Sequence, residues 1–262
     1  MSQDGRFARF ELISWWDQAR LRDAKVLLVG AGALGNEVLK NLALLGVGQV
    51  LVIDLDTIER SNLSRSVLFR EADRGQPKAT VAARAAQEIH PDLRVHGVQG
   101  NAVYDLGLGV YRWADLVIGG LDNREARLAI NRSCYRVGKP WIDGAIEVLT
   151  GVVRAFLPPE GACYECTMSA ADWQMLERRR SCALLSRKDV EELGRTPTTP
   201  TMASIVAGMQ CQEAVKLIHG MPILDGRALV VDGQGHDSYV IVSPRKEHCY
   251  SHERYEPIVD PP

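Results

Sequence analysis

The sequence predicts an α/β fold, a doubly wound and mostly parallel sheet extended by antiparallel strands. Three observations predict it: a buried-strand pattern that passes through a glycine-rich turn into a helix and a second buried strand, looser repeats of that unit, and a second half of short β-like runs around one strong helix.

Residues 1–23 read as one or two short amphipathic helices. The run KVLLVG over 25–30 is continuously apolar, the pattern of a strand buried on both faces and hence of a parallel sheet. GAGALG over 30–35 turns the chain into a helix, and QVLVID over 49–54 forms the second buried strand. Residues 78–90 are an alanine-rich helix, DLVIGGLD over 115–122 a third apolar strand, 124–137 a helix and WIDGAI over 141–146 another strand. From Gly151 the runs GVVRAFL, ALVVDG and SYVIVS surround a helix at 201–219, which reads as an antiparallel extension. Residues 168–199 are polar and charge-rich, a crossover loop with some helix that is mobile or faces a partner. All of this is expected to form a single domain over 1–262.

Composition excludes several classes of function. The 262 residues are 46% hydrophobic and 24% charged, enough to bury a large core, so disorder and collagen-like repeats are excluded. Lys and Arg total 31 against 33 Asp and Glu, so the basic excess that drives nucleic-acid binding is missing. No apolar run reaches the roughly 18–20 residues of a bilayer span, and the opening MSQDGRFARF is too charged for a secretory signal, so a cytoplasmic protein is expected. Six cysteines are too few for a disulfide scaffold at this length and suit metal or thiol chemistry in a reducing compartment.

Gly30, Gly32 and Gly35 form a GxGxxG turn between strand and helix, where small residues admit a nucleotide phosphate to the backbone N–H groups of the helix N-terminus. Asp54 ends the next strand, where the carboxylate of a Rossmann-like domain binds ribose hydroxyls. NAD and ATP both fit these features. Asn62, Arg65 and Lys78 gather just beyond that strand, and two cations exceed what a dinucleotide needs but suit a triphosphate and a pyrophosphate leaving group. A nicotinamide-dependent oxidoreductase would leave them idle. Asp122, at the carboxyl edge of the sheet, offers one carboxylate to Mg²⁺, the alternative being a helix cap.

The stretches RFARF, VLLVGAGALGNEVLKNLALLGVG, VIDLDTIERSNLSR, QPKA, LDNREAR and GACYEC, spread over nearly the whole chain, resemble the ubiquitin-activating-enzyme-like adenylyltransferases, the ThiF, MoeB and HesA group. The resemblance implies that Gly30, Gly32, Gly35 and Asp54 bind ATP, that Asn62, Arg65 and Lys78 hold its phosphates, and that Asp122 is linked to magnesium. It also implies that Arg9, with Arg6 as its companion, reaches the phosphates of the other subunit of a homodimer. The substrate it implies is a ubiquitin-like or sulfur-carrier protein ending in Gly-Gly, whose carboxylate is adenylated with release of pyrophosphate. Ser66 stands where the family usually has glutamine. A catalytically inactive carrier-binding scaffold is the alternative outside the enzymes.

Cys163 and Cys166 have zinc-finger spacing, and Cys249 with His252 forms a CxxH near the end of the chain, so together they offer a closed Cys₃His site that staples the C-terminus and leaves no position for catalytic water. His248 is a substitute ligand, and a redox pair or buried thiols are the other readings. Cys182 follows Arg178, Arg179 and Arg180, a cationic setting that favours the thiolate. Members of the family that pass a ubiquitin-like protein onward as a thioester to a conjugating enzyme carry their cysteine in this crossover region. Sulfur-carrier adenylyltransferases omit that step. A loop thiol without a role, or arginines that bind an acidic partner, are the competing readings. Cys134 and Cys211 fall at apolar helical positions and read as core residues.

Overall fold

The computed structural model describes residues 5–180 and 197–254. Among them, eight strands form one sheet in the order β3-β2-β1-β4-β5-β6-β7-β8. They are β1 (Lys25–Val29), β2 (Gln49–Asp54), β3 (Arg94–Gln99), β4 (Leu116–Gly119), β5 (Trp141–Glu147), β6 (Thr150–Phe156), β7 (Arg227–Asp232) and β8 (Asp237–Val242). The pairs from β3 through β5 are parallel and those from β5 to β8 antiparallel, the doubly wound sheet with an extension that the sequence predicts.

Alternation in β1 explains the two layers of helix. Val26 and Leu28 face a core built with α2 (Ala33–Leu45), α3 (Lys78–Ile89) and α8 (Pro200–Ile218), while Leu27 and Val29 face a core containing Tyr111 of α4 (Leu108–Trp113) and Leu128 of α5 (Arg124–Val137). That second face also receives Tyr164 of α6 (Tyr164–Thr167) and Leu176 of α7 (Ala170–Arg180). A short α1 (Gln18–Asp23) precedes the sheet and α9 (Tyr250–Arg254) follows it. Cys134 and Cys211 lie in these cores, as expected, and burial pushes the Cys211 thiol up to about 12. Among the described residues no helix is long and apolar enough to cross a membrane.

Sequence reading overlooks β3. Its residues RVHGVQ lack an apolar run because the strand is an edge, paired only with β2. Gly97 marks it: a Cβ there would stand 2.2 Å from Ala79 O on α3. The helix expected within the polar stretch after Met168 is α7, at its start.

The chain leaves β3 and returns to β4 on the far side of β1. Between β1 and β4 the strand order therefore reverses, which opens a crevice beyond the carboxyl ends of the strands.

Candidate functional site

The glycine turn occupies that crevice, and its three glycines answer different demands. Gly30 has φ +97°, and a Cβ there would lie 2.4 Å from Gly120 O at the tip of β4. At Gly35 a Cβ would lie 1.9 Å from Gly30 O. Gly32 has an ordinary φ of −73°, and a Cβ there would meet nothing within 4 Å. Packing thus requires the outer two glycines, whereas Gly32 fronts open space at the N-terminus of α2, where a phosphate could reach backbone N–H groups.

Asp54 closes the turn from β2. Its Oδ2 accepts from Ala31 N at 2.6 Å and its Oδ1 from Asp56 N at 2.8 Å, which leaves lone pairs for further donors such as ribose hydroxyls. Burial pushes its carboxyl above the ordinary value, against the pull of the Ala31 N–H.

Asn36, fully buried on α2, ties the turn to the loop beyond β2: its Nδ2 donates to Ala31 O at 2.7 Å and its Oδ1 accepts from Leu68 N at 2.9 Å. In that loop Asn62 Oδ1 accepts from Glu59 N at 2.9 Å, and its Nδ2 makes no hydrogen bond among the described residues. Arg65 Nη1 donates to Ser61 O at 2.9 Å and has no carboxylate partner among those residues. Ser66 is buried. Lys78, the first residue of α3, has a side chain only 11% exposed, with Nζ 2.7 Å from Asp56 Oδ2. Lys78 also lowers the Asp54 carboxyl, so the two share one electrostatic neighbourhood.

Asp122 follows β4 on the other side of the crevice. It is exposed, with Oδ1 accepting from Asn123 Nδ2 at 3.2 Å. The cap of α5 is Asn123, whose Oδ1 accepts from Ala126 N at 2.8 Å, so the capping alternative falls to its neighbour. One exposed carboxylate at this edge fits a magnesium ion held chiefly by phosphates and water.

A second cluster lies at the C-terminus. Cys163 Sγ stands 3.6 Å from Cys249 Sγ and 3.9 Å from Cys166 Sγ, and Cys166 Sγ stands 3.9 Å from His252 Nδ1. Tetrahedral zinc with bonds of about 2.3 Å would separate its sulfurs by about 3.8 Å, so this donor set fits the metal. Burial lowers the His252 pKa and keeps the neutral, ligating form. Hydrogen bonds from Cys163 and Cys249 hold the Cys166 thiol far below its ordinary value, while the hydrogen bond to Cys166 chiefly raises Cys163, the one to Cys163 chiefly raises Cys249, and burial adds to both. His248 lies outside the cluster and lines a cavity of about 490 Å³ beside it.

Comparison with known proteins agrees with this geometry. A model of the ThiF family matches residues 5–251. The chain belongs to the ThiF family. A SAMP-activating enzyme E1 of Haloferax volcanii is 33% identical over 216 residues, covering 82% of this chain and 75% of that protein. A sulfur carrier protein adenylyltransferase of Thermus thermophilus is 40% identical over 154 residues, which span 57% of each chain. A NEDD8-activating enzyme E1 catalytic subunit of Schizosaccharomyces pombe is 40% identical over 150 residues, only 34% of its length. Several of these relatives thus extend well beyond the region matched here. The structure of E. coli MccB with ATP superimposes with a TM-score of 0.77 at 22% identity, covering 96% of this chain and 74% of that one, and shares the fold.

The ThiF-family chain therefore brings Gly30, Gly32, Gly35, Asp54 and Lys78 to one edge of the sheet, with Asn62 and Arg65 on the loop that Asn36 fastens there and Asp122 after β4. Arg9 lies elsewhere. Its segment is held at the opposite ends of the helices: Arg6 donates to Ile89 O at the end of α3, Phe7 packs edge-on to His90, and Gln18 Nε2 donates to Leu45 O at the end of α2. The 13 residues of α2 separate that end from the glycine turn by about 20 Å. Arg9 is exposed there, without an ion pair among the described residues. Cys182 lies outside the described residues.

Sequence reasoning missed a buried ion cluster on β5. Asp143, fully buried, takes Arg127 Nε on Oδ1 at 2.8 Å and Arg154 Nη1 on Oδ2 at 3.1 Å. Its one signal is a carboxylate inside the apolar run WIDGAI.

Proposed function

We propose that the chain is an ATP-dependent enzyme that adenylates the C-terminal glycine carboxylate of a ubiquitin-like or sulfur-carrier protein. The observation that carries this reading is the open space over Gly32, with Asp54 bonded to the adjoining Ala31 N–H and Lys78 within electrostatic reach of Asp54. The names of the Haloferax and Thermus relatives support it.

The reaction asks for positioning and charge neutralisation rather than for a base, since the attacking carboxylate is already ionised. Its oxygen forms a bond to the α-phosphorus while the bond from that phosphorus to the bridging oxygen breaks, and pyrophosphate leaves with the electron pair. The N–H groups around Gly32 take the phosphates, Asp54 takes the ribose hydroxyls, and Asn62, Arg65 and Lys78 hold the phosphate oxygens. Lys78 exchanges its bond to Asp56 for one to a phosphate. Asp122 would hold Mg²⁺, which supplies further neutralisation of the phosphate charge. Arg9, whose segment sits at the far end of α2, a helix about 20 Å long, from the turn of its own chain, serves the site of a second copy in a homodimer.

Cys163, Cys166, Cys249 and His252 would hold zinc in a closed site that fastens α9 to α6 and takes no part in the chemistry. A cytoplasmic setting keeps these thiols reduced. Cys182 then attacks the acyl carbon as thiolate, AMP departs, and the carrier is held as a thioester for a conjugating enzyme. The second reading, a sulfur-carrier adenylyltransferase without the thioester, is favoured by the name of the Thermus relative.

Non-reducing electrophoresis with ATP, Mg²⁺ and a Gly-Gly carrier separates the two. A thiol-sensitive adduct lost in Cys182→Ala supports transfer. Acyl-adenylate in both proteins without an adduct supports the sulfur-carrier reading. ATP binding with no pyrophosphate exchange returns the chain to a scaffold.

A further inference from the structure

The buried Asp143–Arg127 pair has a geometry that core packing alone does not demand. Arg127 stands in the first turn of α5 and is 7% exposed. While Nε is held by Asp143, its Nη2 donates to Leu121 O at 2.5 Å and to Gly144 O at 3.0 Å. Leu121 is the residue immediately before Asp122. The guanidinium is thus a rigid fork with one prong on the carboxylate of β5 and another on the backbone of the β4–α5 loop. Asp122 also lies within electrostatic reach, since its charge raises the Arg127 pKa after burial and the larger pull of Asp143 are counted. Arg154 holds the other oxygen of Asp143 but donates no bond to that loop among the described residues.

We infer that Arg127, oriented by Asp143, is a positioning residue that fixes the Asp122 carboxylate for the divalent cation of the nucleotide complex. This rests on the proposed function, in which Asp122 is the cation's protein ligand. Lysine conserves the charge but is a single point donor, so it cannot span Asp143, Leu121 O and Gly144 O together. Arg127→Lys therefore frees the loop without changing the net charge near the cation. Asp143→Asn leaves Arg127 without its ionic partner.

The test is titration of Mn²⁺ into the full chain with a non-hydrolysable ATP analogue present, alongside binding of the analogue without metal and a thermal melt. Arg127→Lys and Asp143→Asn are expected to weaken Mn²⁺ binding by about 10-fold, the low end for groups that orient a metal ligand. Metal-free analogue binding stays at the wild-type level in both. Arg154→Gln, which leaves the Arg127 fork in place, keeps wild-type Mn²⁺ affinity. A folded Arg127→Lys protein with wild-type Mn²⁺ affinity overturns the inference, and that variant decides alone if Asp143→Asn does not fold. Equal weakening in Arg154→Gln also overturns it, because the whole cluster would then act only through stability. If Asp122→Asn retains Mn²⁺ affinity while Arg127→Lys loses it, the assignment of Asp122 in the proposed function fails, and the positioning of Asp122 fails with it.

Discussion

Replacing Gly32 and Gly35 separately by alanine distinguishes a glycine required by packing from one reserved for a ligand. At Gly35 the new methyl would sit 1.9 Å from Gly30 O and 2.8 Å from Gly30 C, both backbone atoms, so the turn itself must move. Overpacking of this kind costs about 3 kcal/mol and should lower the apparent Tm by roughly 6–12 °C. At Gly32 the φ of −73° suits alanine and the methyl meets nothing within 4 Å. The stability change there is expected to stay under about 1 kcal/mol, mostly the poorer N-cap. The methyl nevertheless fills the volume through which a phosphate must pass to reach the N–H groups. ATP affinity should fall at least about tenfold, or about 1.4 kcal/mol. Isothermal titration with ATP and a thermal melt on both variants give the comparison. A folded Gly32→Ala protein that binds ATP as the wild type does would refute the phosphate cradle.

Three further outcomes follow from the same geometry. Removing metal with a chelator, or Cys163→Ser, should lower the Tm and expose the C-terminal segment to protease while ATP affinity is unchanged; atomic absorption should find zinc in the wild type and little in the variant. Because burial raises the Asp54 pKa above 3.8, ATP affinity should begin to fall at a higher pH than an ordinary aspartate dictates, as protonation removes an acceptor for the ribose. The same protonation relieves the cost of a buried charge, so the contribution of Asp54 to stability rises as pH falls through its pKa; Asp54→Asn should flatten both dependences in titrations from neutral to acid pH. Arg9→Ala and Lys78→Ala proteins, each inactive alone, should regain about a quarter of wild-type exchange activity when mixed and allowed to exchange subunits, since half the dimers then carry one complete site. No recovery despite demonstrated subunit exchange contradicts action in trans.

The fold was legible wherever burial forces a pattern. β1, β2 and β4 are covered by helices on both faces and spell themselves out as apolar runs, whereas β3 has one strand neighbour and mixed exposure and leaves no such trace. The glycine turn and Asp54 were legible because the backbone and its ligand chemistry dictate residue type at fixed spacing. The zinc candidates were legible for the same reason: the sequence offers His252 with His248 as its substitute, and the fold sets His252 among the thiols. Asn36, Asp56 and the Arg127–Asp143–Arg154 cluster were not legible. Each acts through a partner distant in sequence, so only folding reveals that Asn36 meets Leu68, that Lys78 meets Asp56, or that a strand carboxylate holds the arginine that clamps Leu121.

The measurement closest to the central claim is ATP–pyrophosphate exchange by the full chain with a ubiquitin-like or sulfur-carrier protein ending in Gly-Gly, set against the same carrier with those two residues removed. Exchange that requires Mg²⁺ and the intact terminus, and that is lost in Lys78→Ala, is the predicted result. A folded, ATP-binding protein that shows no exchange with any such carrier, or exchange indifferent to the terminus, would contradict it.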